Sequence, residues 1–106
     1  MNISVTFKNM TPRETLRVFI EEQSQGFAKF FDGDISLTWV LSHEKLECIA
    51  HCHLVGNHMD YYGEGSTQDF KASIDLTFDR LEKQIRKHKE IVRDHLHKNR
   101  QHEPVE

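Results

Sequence analysis

Histidine is the first residue type in this chain that invites a chemical interpretation, because the 106 residues include 8 histidines and imidazole is a common metal ligand. His51 and His53 are two residues apart, so in a strand their side chains point to the same face. A hairpin after them would place Asp60 opposite His53, with His58 close by. No spacing of a known zinc motif accompanies these ligands. We therefore expect polar side chains scattered over a sheet face, with no tight metal site and no cofactor.

The two cysteines, Cys48 and Cys52, offer little nucleophilic or redox chemistry. In a strand, a spacing of four residues separates their Cα atoms by about 13 Å, whereas a disulfide needs roughly 4.4 to 6.8 Å. We interpret them as small buried hydrophobic residues in a reducing compartment. The sequence has no glycine-rich phosphate loop, no nucleophile elbow and no catalytic set that the predicted elements bring together. The protein is therefore predicted not to be an enzyme.

Basic side chains carry the strongest functional signal, because they are unevenly distributed along a chain of formal net charge −3. Residues 1–79 carry 6 Lys/Arg against 12 Asp/Glu, and residues 101–106 add two Glu. Residues 80–100 carry 8 Lys/Arg against 3 Asp/Glu, a local charge of +5. Since local fields depend on how charge is arranged, this segment favours binding to phosphate groups.

The same segment also has an ordinary structural explanation. Asp79 with Lys83 and Glu82 with Arg86 are i,i+4 pairs, which are typical of the solvated surface of a helix. Several cations remain unmatched by such pairs: Arg80, Lys87, Lys89, Arg93, Lys98 and Arg100. Composition alone leaves both interpretations open.

The first two elements follow from hydrophobic periodicity and helix-start signals. Residues 3–7 alternate between hydrophobic and polar side chains, which predicts a short strand. Thr11 then supplies a capping hydroxyl, with Pro12 at the first helical position and Glu14 three residues after the cap. Hydrophobic residues recur at helical spacing from there to Phe31, so we predict a helix over this segment.

Three strands are predicted next. Residues 35–41 and 46–54 alternate with one hydrophobic face, on either side of a turn at residues 42–45. Gly56-Asn57 has the composition of a two-residue hairpin turn and leads into a fourth strand over residues 59–64. These strands supply the inward faces of a sheet.

The last predicted element is one long helix over residues 68–98. Its hydrophobic side chains fall within one stripe and comprise Phe70, Ile74, Phe78, Leu81, Ile85, His88 and Val92. At about 46 Å, the helix would extend beyond its sheet. The element order predicts an α+β fold, β-α-β-β-β-α, with a four-stranded mixed sheet and two helices packed on one face. Residues 1–98 should form a single domain and residues 99–106 a flexible tail.

Neither a membrane span nor a secretory signal is predicted. No hydrophobic run approaches the roughly 20 residues needed to cross a bilayer. The start, MNISVTF, has no basic region followed by a hydrophobic block. We therefore expect a cytoplasmic protein.

The final helix carries a motif that resembles a known family. The stretches DFKASID (residues 69–75) and DRLEKQIRKHK (residues 79–89) closely resemble the signature of the ribosome hibernation promoting factor family. That family includes the ribosome-associated inhibitor A proteins, and its members are often labelled sigma-54 modulation proteins. The similarity covers residues 1 to about 90 and includes Lys8-Asn9-Met10, Leu16-Arg17, Glu21-Glu22 and Phe31-Asp32. The chain resembles a short form, without the C-terminal dimerisation domain of long members.

This resemblance implies a domain that lodges in the small ribosomal subunit, at the mRNA channel and the A and P tRNA sites. Its basic helix surfaces would face 16S-type ribosomal RNA, and it would inhibit translation without catalysis. Off the ribosome we expect a monomer. At position 71 the chain has a lysine where the family motif has an aromatic residue, which weakens the assignment of this position. The positions matched to RNA contact are Lys8, Asn9, Arg80, Lys83, Gln84, Arg86, Lys87 and Lys89.

Two other partner classes stay open at this point. The same basic helix could pair with an acidic protein, as in a regulator of the sigma-54 modulation type. The predicted topology also resembles that of double-stranded RNA-binding domains, which recognise any long duplex largely by shape. Selective binding to ribosomal subunits in excess competitor RNA would distinguish a ribosome-binding factor from both alternatives.

Overall fold

The structure is a computed structural model that describes residues 1–28, 33–56 and 58–101, with side chains described as far as Lys87. The elements are β1 (Asn2–Lys8), α1 (Glu14–Phe27), β2 (Ser36–Glu44), β3 (Glu47–Gly56), β4 (Met59–Thr67) and α2 (Phe70–Gln101). This is the predicted order, β-α-β-β-β-α. The predicted boundary between a domain at 1–98 and a tail at 99–106 stays a prediction, since residues 102–106 lie outside the described residues.

The sheet has the order β1-β2-β3-β4. β1 runs parallel to β2, while β2, β3 and β4 pair antiparallel, so the sheet is mixed as predicted. Alternate side chains of the strands face the helices, as the sequence period requires. β4 lies at one edge of the sheet and β1 at the other.

Both helices pack on the same face of the sheet, which confirms the predicted architecture. The Phe78 ring of α2 lies 5.1 Å from the ring of Phe27 in α1 and 5.0 Å from that of Trp39 in β2. Five members of the predicted stripe are buried, namely Phe70, Ile74, Phe78, Leu81 and Ile85. The other two, His88 and Val92, lie outside the described side chains. At 32 residues, or about 48 Å, α2 extends beyond strands of at most about 34 Å.

The start of α1 differs from the prediction. Arg13, and not Thr11, is the N-cap residue, and it makes no capping hydrogen bond through its side chain. Its backbone is extended, with φ −128 and ψ 111, and its carbonyl oxygen accepts from the backbone N–H groups of Leu16 and Arg17. Thr11 and Pro12 therefore precede the helix. α1 ends at Phe27, and the predicted continuation to Phe31 falls outside the described residues.

Both predicted hairpin turns were misplaced along the chain. The pairing of Glu44 with Glu47 leaves Lys45 and Leu46 as the turn, with Lys45 at φ 56, so residues 42–44 belong to β2. Leu46, predicted to face inward, is 76% exposed. The reason is geometric, because a two-residue hairpin turn needs a positive φ that alternation of side chains does not reveal.

The second hairpin does not turn at Gly56-Asn57 as predicted, because Gly56 pairs with Met59 and is therefore the last residue of β3. His58 adopts φ 63, and Asn57 lies outside the described residues. Gly56 serves a different purpose, since a Cβ on it would lie 2.6 Å from the carbonyl oxygen of Asp34. The glycine at φ 133 therefore permits a close approach of two backbone segments.

Candidate RNA-binding surface

The start of α2 is fixed by hydrogen bonds around Asp69. The Asp69 carboxylate accepts from the backbone N–H of Ala72 at 3.0 Å, which satisfies one free donor of the first turn. The hydroxyl of Thr67 accepts from the backbone N–H of Asp69 at 3.0 Å. The direction in which the long helix leaves the sheet is thereby set by its first residues.

Two glycines and two hydroxyls then hold α2 closely against the sheet. A Cβ on Gly65 would overlap the carbonyl oxygen of Ser73, and one on Gly63 would lie 2.9 Å from Cγ of Leu81. The Ser73 hydroxyl donates to the carbonyl oxygen of Cys48 at 2.6 Å. The single proton of the Thr77 hydroxyl is shared between the carbonyl oxygens of Ser73, at 2.8 Å, and Ala50, at 3.3 Å. The absence of side chains at these two positions of β4 lets the helix approach, and the hydroxyls fix its position.

Two of the predicted RNA-contact residues are hydrogen-bonded to the edge strand β4. Arg80 Nη1 donates to the carbonyl oxygen of Glu64 at 2.6 Å, and Gln84 Nε2 donates to that of Tyr62 at 2.8 Å. These carbonyls belong to β4, whose outer edge has no neighbouring strand in the sheet. Arg80 remains exposed and carries five donors in all, so further N–H groups are available to a ligand.

The remaining described cations on this part of α2 are exposed. Lys83 Nζ lies 3.3 Å from the Asp79 carboxylate, and Arg86 pairs with Glu82, so both predicted i,i+4 pairs form. Lys87 is exposed and has no acidic partner among the residues that the structure describes. We name this set the late-helix set: Arg80, Lys83, Gln84, Arg86 and Lys87. Residues 79–87 include four basic and two acidic side chains, so the segment keeps a charge of +2.

Lys8 and Asn9 do not join the late-helix set. They lie at the end of β1, on the opposite edge of the sheet from β4, about 14 Å away across three strand spacings. Both are exposed, and Asn9 has a φ of 59, in the left-handed region that asparagine tolerates well. The eighth predicted residue, Lys89, lies outside the described side chains. Six of the eight residues therefore lie on α2, and the side chains of five of them are described.

Helix α1 does not extend the basic surface. It carries Glu14, Glu21 and Glu22 against a single cation, Arg17. The Arg17 guanidinium pairs with Glu14 at 3.4 Å and lies 5.8 Å from the centre of the Phe7 ring. Among the described helix surfaces, the late part of α2 is thus the one with net positive charge.

Two cations outside the predicted set stand at the starts of the helices. The Arg13 guanidinium lies 5.9 Å from the centre of the Phe70 ring, and Lys71 Nζ lies 5.3 Å from that of Phe19. Neither has an acidic partner within the described part of the chain. The sequence could have drawn attention to Arg13 and Lys71, because the starts of helices favour acidic over basic side chains. Basic residues at both helix starts are therefore unusual for these positions.

His51 and His53 lie on the outer face of the sheet, as predicted, but the register with β4 differs from the prediction. His53 pairs across the strands with Tyr62, not with Asp60, which is opposite Val55. Its ring stacks on that of Tyr62 at 4.0 Å, and its Nε2 lies 2.6 Å from a carboxylate oxygen of Asp60. In the described residues, no group of three or more His, Cys, Asp or Glu side chains is arranged to hold a metal ion.

Both cysteines are buried and not joined in a disulfide. Burial raises the pKa of the Cys52 thiol to about 12, and burial is also the main cause that raises the pKa of Cys48. Neither thiol supplies a thiolate near neutral pH, so they act as core side chains.

The fold and the basic helix together define a small binding domain of the α+β class. The chain belongs to the Sigma 54 modulation protein / S30EA ribosomal protein family, whose model matches residues 3–93. This confirms the resemblance seen in the last helix and places the chain in a non-enzymatic family.

The relatives agree with this assignment. A ribosome hibernation promoting factor from Klebsiella oxytoca is 30% identical over 95 residues, covering 90% of this chain and 100% of that protein. A ribosome hibernation promotion factor from Rhizobium meliloti is 29% identical, and the match covers 95% of this chain but 54% of that longer protein. The chain therefore matches the full length of the first relative and about half of the second.

Solved structures show the same fold. The crystal structure of the N-terminal domain of Thermus thermophilus Protein Y superposes with a TM-score of 0.77 at 25% identity, covering 83% of this chain and 99% of that one. A ribosomal subunit interface protein from Coxiella burnetii superposes with a TM-score of 0.73 at 19% identity, covering 84% and 98%. In the described residues, no helix combines the length and hydropathy that crossing a membrane requires.

Proposed function

We propose that this protein is a ribosome hibernation factor that binds the small ribosomal subunit. It occupies the mRNA channel and the A and P tRNA sites and lowers translation by excluding those ligands. The supporting observation is the late-helix set, which combines four exposed basic side chains with the half-buried amide of Gln84 on one helix of an otherwise acidic chain. Family membership and the names of the curated relatives point to the same process.

The late-helix set suits phosphate binding energetically. Exposed ion pairs such as Lys83 with Asp79 contribute about 0–1 kcal/mol, so RNA phosphates can displace the carboxylates at small cost. Arg86 and Arg80 offer planar guanidinium groups that bind phosphate oxygens in a bidentate manner. Lys87 adds a point charge without a described competitor. Charge supplies affinity in this arrangement.

Selectivity comes from shape. A helix that is hydrogen-bonded to the sheet through Arg80 and Gln84 presents its side chains at fixed positions. Folded ribosomal RNA offers irregular cavities that such a rigid surface can match, whereas a regular A-form duplex displays a shallow minor groove. The acidic α1 disfavours indiscriminate contact with RNA.

Lys8 and Asn9 form a second contact in this proposal. Their place at the far edge of the sheet means that they meet a different RNA segment from the one bound by the late-helix set. Binding that spans both edges buries more of the subunit surface than either contact alone. The protein acts as a monomer in the cytoplasm, where ribosomes are found.

Cosedimentation in sucrose gradients tests this function. Purified small subunits, the protein and an excess of unrelated double-stranded RNA are mixed, with mRNA and initiator tRNA added in a second series. We expect the protein to travel with subunits despite the duplex and to be displaced by mRNA and tRNA. Transfer to the duplex would identify a general double-stranded RNA binder. Failure to bind either RNA, together with capture by an acidic protein, would favour a protein-binding regulator.

A further inference from the structure

A depression of about 630 Å³ lies where the starts of both helices meet one end of the sheet. It is lined by the β1–α1 connection, the hairpin between β2 and β3, and the β4–α2 connection. Sites for small ligands commonly have volumes of about 300–1,000 Å³. The depression lies apart from the late-helix set, whose residues do not line it.

Its floor consists of apolar side chains from three different elements. Leu16 from α1, Cys48 from β3 and Phe70 from α2 all line it, and each is buried. The imidazole of His43 lies 6.2 Å from the Phe70 ring, centre to centre, and extends the aromatic surface. The raised pKa of Cys48 keeps its thiol neutral. The floor therefore suits the apolar or aromatic body of a ligand.

Its rim is cationic and rich in unused donors. Arg13 and Lys71 line it from the two helix starts, and both are exposed without an acidic partner in the described part of the chain. Asp69 is the one carboxylate of the rim, and its Oδ2 is already an acceptor in the cap of α2. Thr15 and Gln68 make no side-chain hydrogen bond with the residues that the structure describes. Such a rim fits an anionic group with several oxygen acceptors.

We propose that this depression binds a nucleotide, with the base on the apolar floor and the phosphate toward Arg13 and Lys71. The guanidinium and ammonium groups donate charge-assisted hydrogen bonds to the phosphate oxygens, and Thr15 and Gln68 supply neutral hydrogen bonds. The nucleotide is either free in solution or an unpaired residue of RNA. The second source rests on the proposed function, since the depression adjoins the loop that carries Asn9.

Titration of the isotope-labelled protein, followed by NMR, tests this proposal. The probes are AMP, UMP, adenosine, inorganic phosphate and a uridine trinucleotide. We expect AMP or UMP to shift the amide signals of Thr15, Gln68 and Lys71, with an affinity at least about tenfold above those of adenosine and phosphate. Arg13→Ala and Lys71→Ala should each weaken nucleotide binding about tenfold. Lys45→Ala, which removes an exposed cation that does not line the depression, should leave it unchanged.

Binding of the trinucleotide alone, with loss in both rim variants, would support the RNA source. Equal affinity for AMP and inorganic phosphate would overturn the proposal, because the floor would then contribute nothing. It is also overturned if no probe binds, or if Lys45→Ala weakens binding as much as Arg13→Ala does. Amide spectra of the free variants check their folding. Subunit cosedimentation of the wild-type protein is measured separately, so a failure of the ribosomal function is distinguishable from a failure of this site.

Discussion

The guanidinium of Arg80 donates a hydrogen bond to the backbone carbonyl oxygen of Glu64, 2.6 Å away, and so joins the basic helix to the edge of the sheet. This contact gives a predicted RNA-binding side chain a structural task as well. Substitution can separate the two roles. The hydrogen bond to Glu64 needs the guanidinium, whereas lysine would keep the positive charge that attracts RNA. Gln84 makes the same kind of contact one turn later, to Tyr62.

Replacing Arg80 by Ala should lower the free energy of unfolding by about 0.5–1.5 kcal/mol, the usual contribution of one hydrogen bond. Arg80→Lys keeps the charge but loses the planar fork, so we expect a similar loss of stability and a smaller loss of subunit binding. Urea unfolding and cosedimentation of the two variants measure these effects. Full stability in Arg80→Ala would show that the contact to Glu64 is not stabilising.

Phe78 links the two helices and the sheet through its ring contacts with Phe27 and Trp39. Phe78→Ala should cost about 3–5 kcal/mol of stability, because it removes a buried ring and leaves a cavity. Val18→Ala is the control, since Val18 lies in α1 but is 39% exposed. A loss below about 1 kcal/mol on truncating Phe78 would contradict this packing of the core.

Two glycines should respond to alanine with opposite signs. Gly65→Ala should destabilise the protein by about 1–3 kcal/mol, because the added methyl group overlaps the Ser73 carbonyl and forces α2 away from β4. Gly26→Ala should stabilise it by about 0.5–1 kcal/mol, since Gly26 lies within α1 and no atom of the residues that the structure describes lies within 4 Å of the added Cβ. Thermal unfolding of both variants measures these effects. Unchanged or raised stability in Gly65→Ala would contradict the packing of α2 on β4.

Binding to the small subunit should weaken as salt rises, because each neutralised phosphate releases condensed counterions. In simple nucleic acids the slope of log affinity against log salt is about −0.7 to −0.9 per contact. The four described cations of the late-helix set therefore predict a steep decline between low and physiological salt. Salt-insensitive binding would point to an interface without phosphate contacts.

The sequence predicts which face of each element is buried better than it predicts where the chain turns. Alternation from Ile35 to Leu41 identifies the inward face of β2, but it contains no information on the positive φ at Lys45 or His58. In the β3–β4 hairpin the predicted register is therefore wrong by two residues. Such an error leaves each side chain on the predicted face of the sheet but changes the residue opposite it on the next strand. His53 is accordingly on the predicted face but opposite Tyr62.

The candidate site was predictable in composition and not in its geometry. Charge counting and the family-like motif both select the late part of α2 as the candidate. The partners of Arg80 and Gln84 are backbone carbonyls, which every residue has, so no side-chain pattern reveals them. The separation of Lys8 from the helix depends on the strand order, which becomes visible only in three dimensions.

The central claim is that the late-helix set binds the small ribosomal subunit, and charge reversal tests it most directly. Lys83→Glu with Lys87→Glu changes two exposed side chains away from the core, so the fold should survive as judged by circular dichroism. Lys45→Glu, in the exposed turn between β2 and β3, reverses a charge outside the late-helix set and is the control. We predict that the double variant loses cosedimentation with small subunits while Lys45→Glu binds as the wild type does. A folded double variant that cosediments like the wild type would contradict the claim.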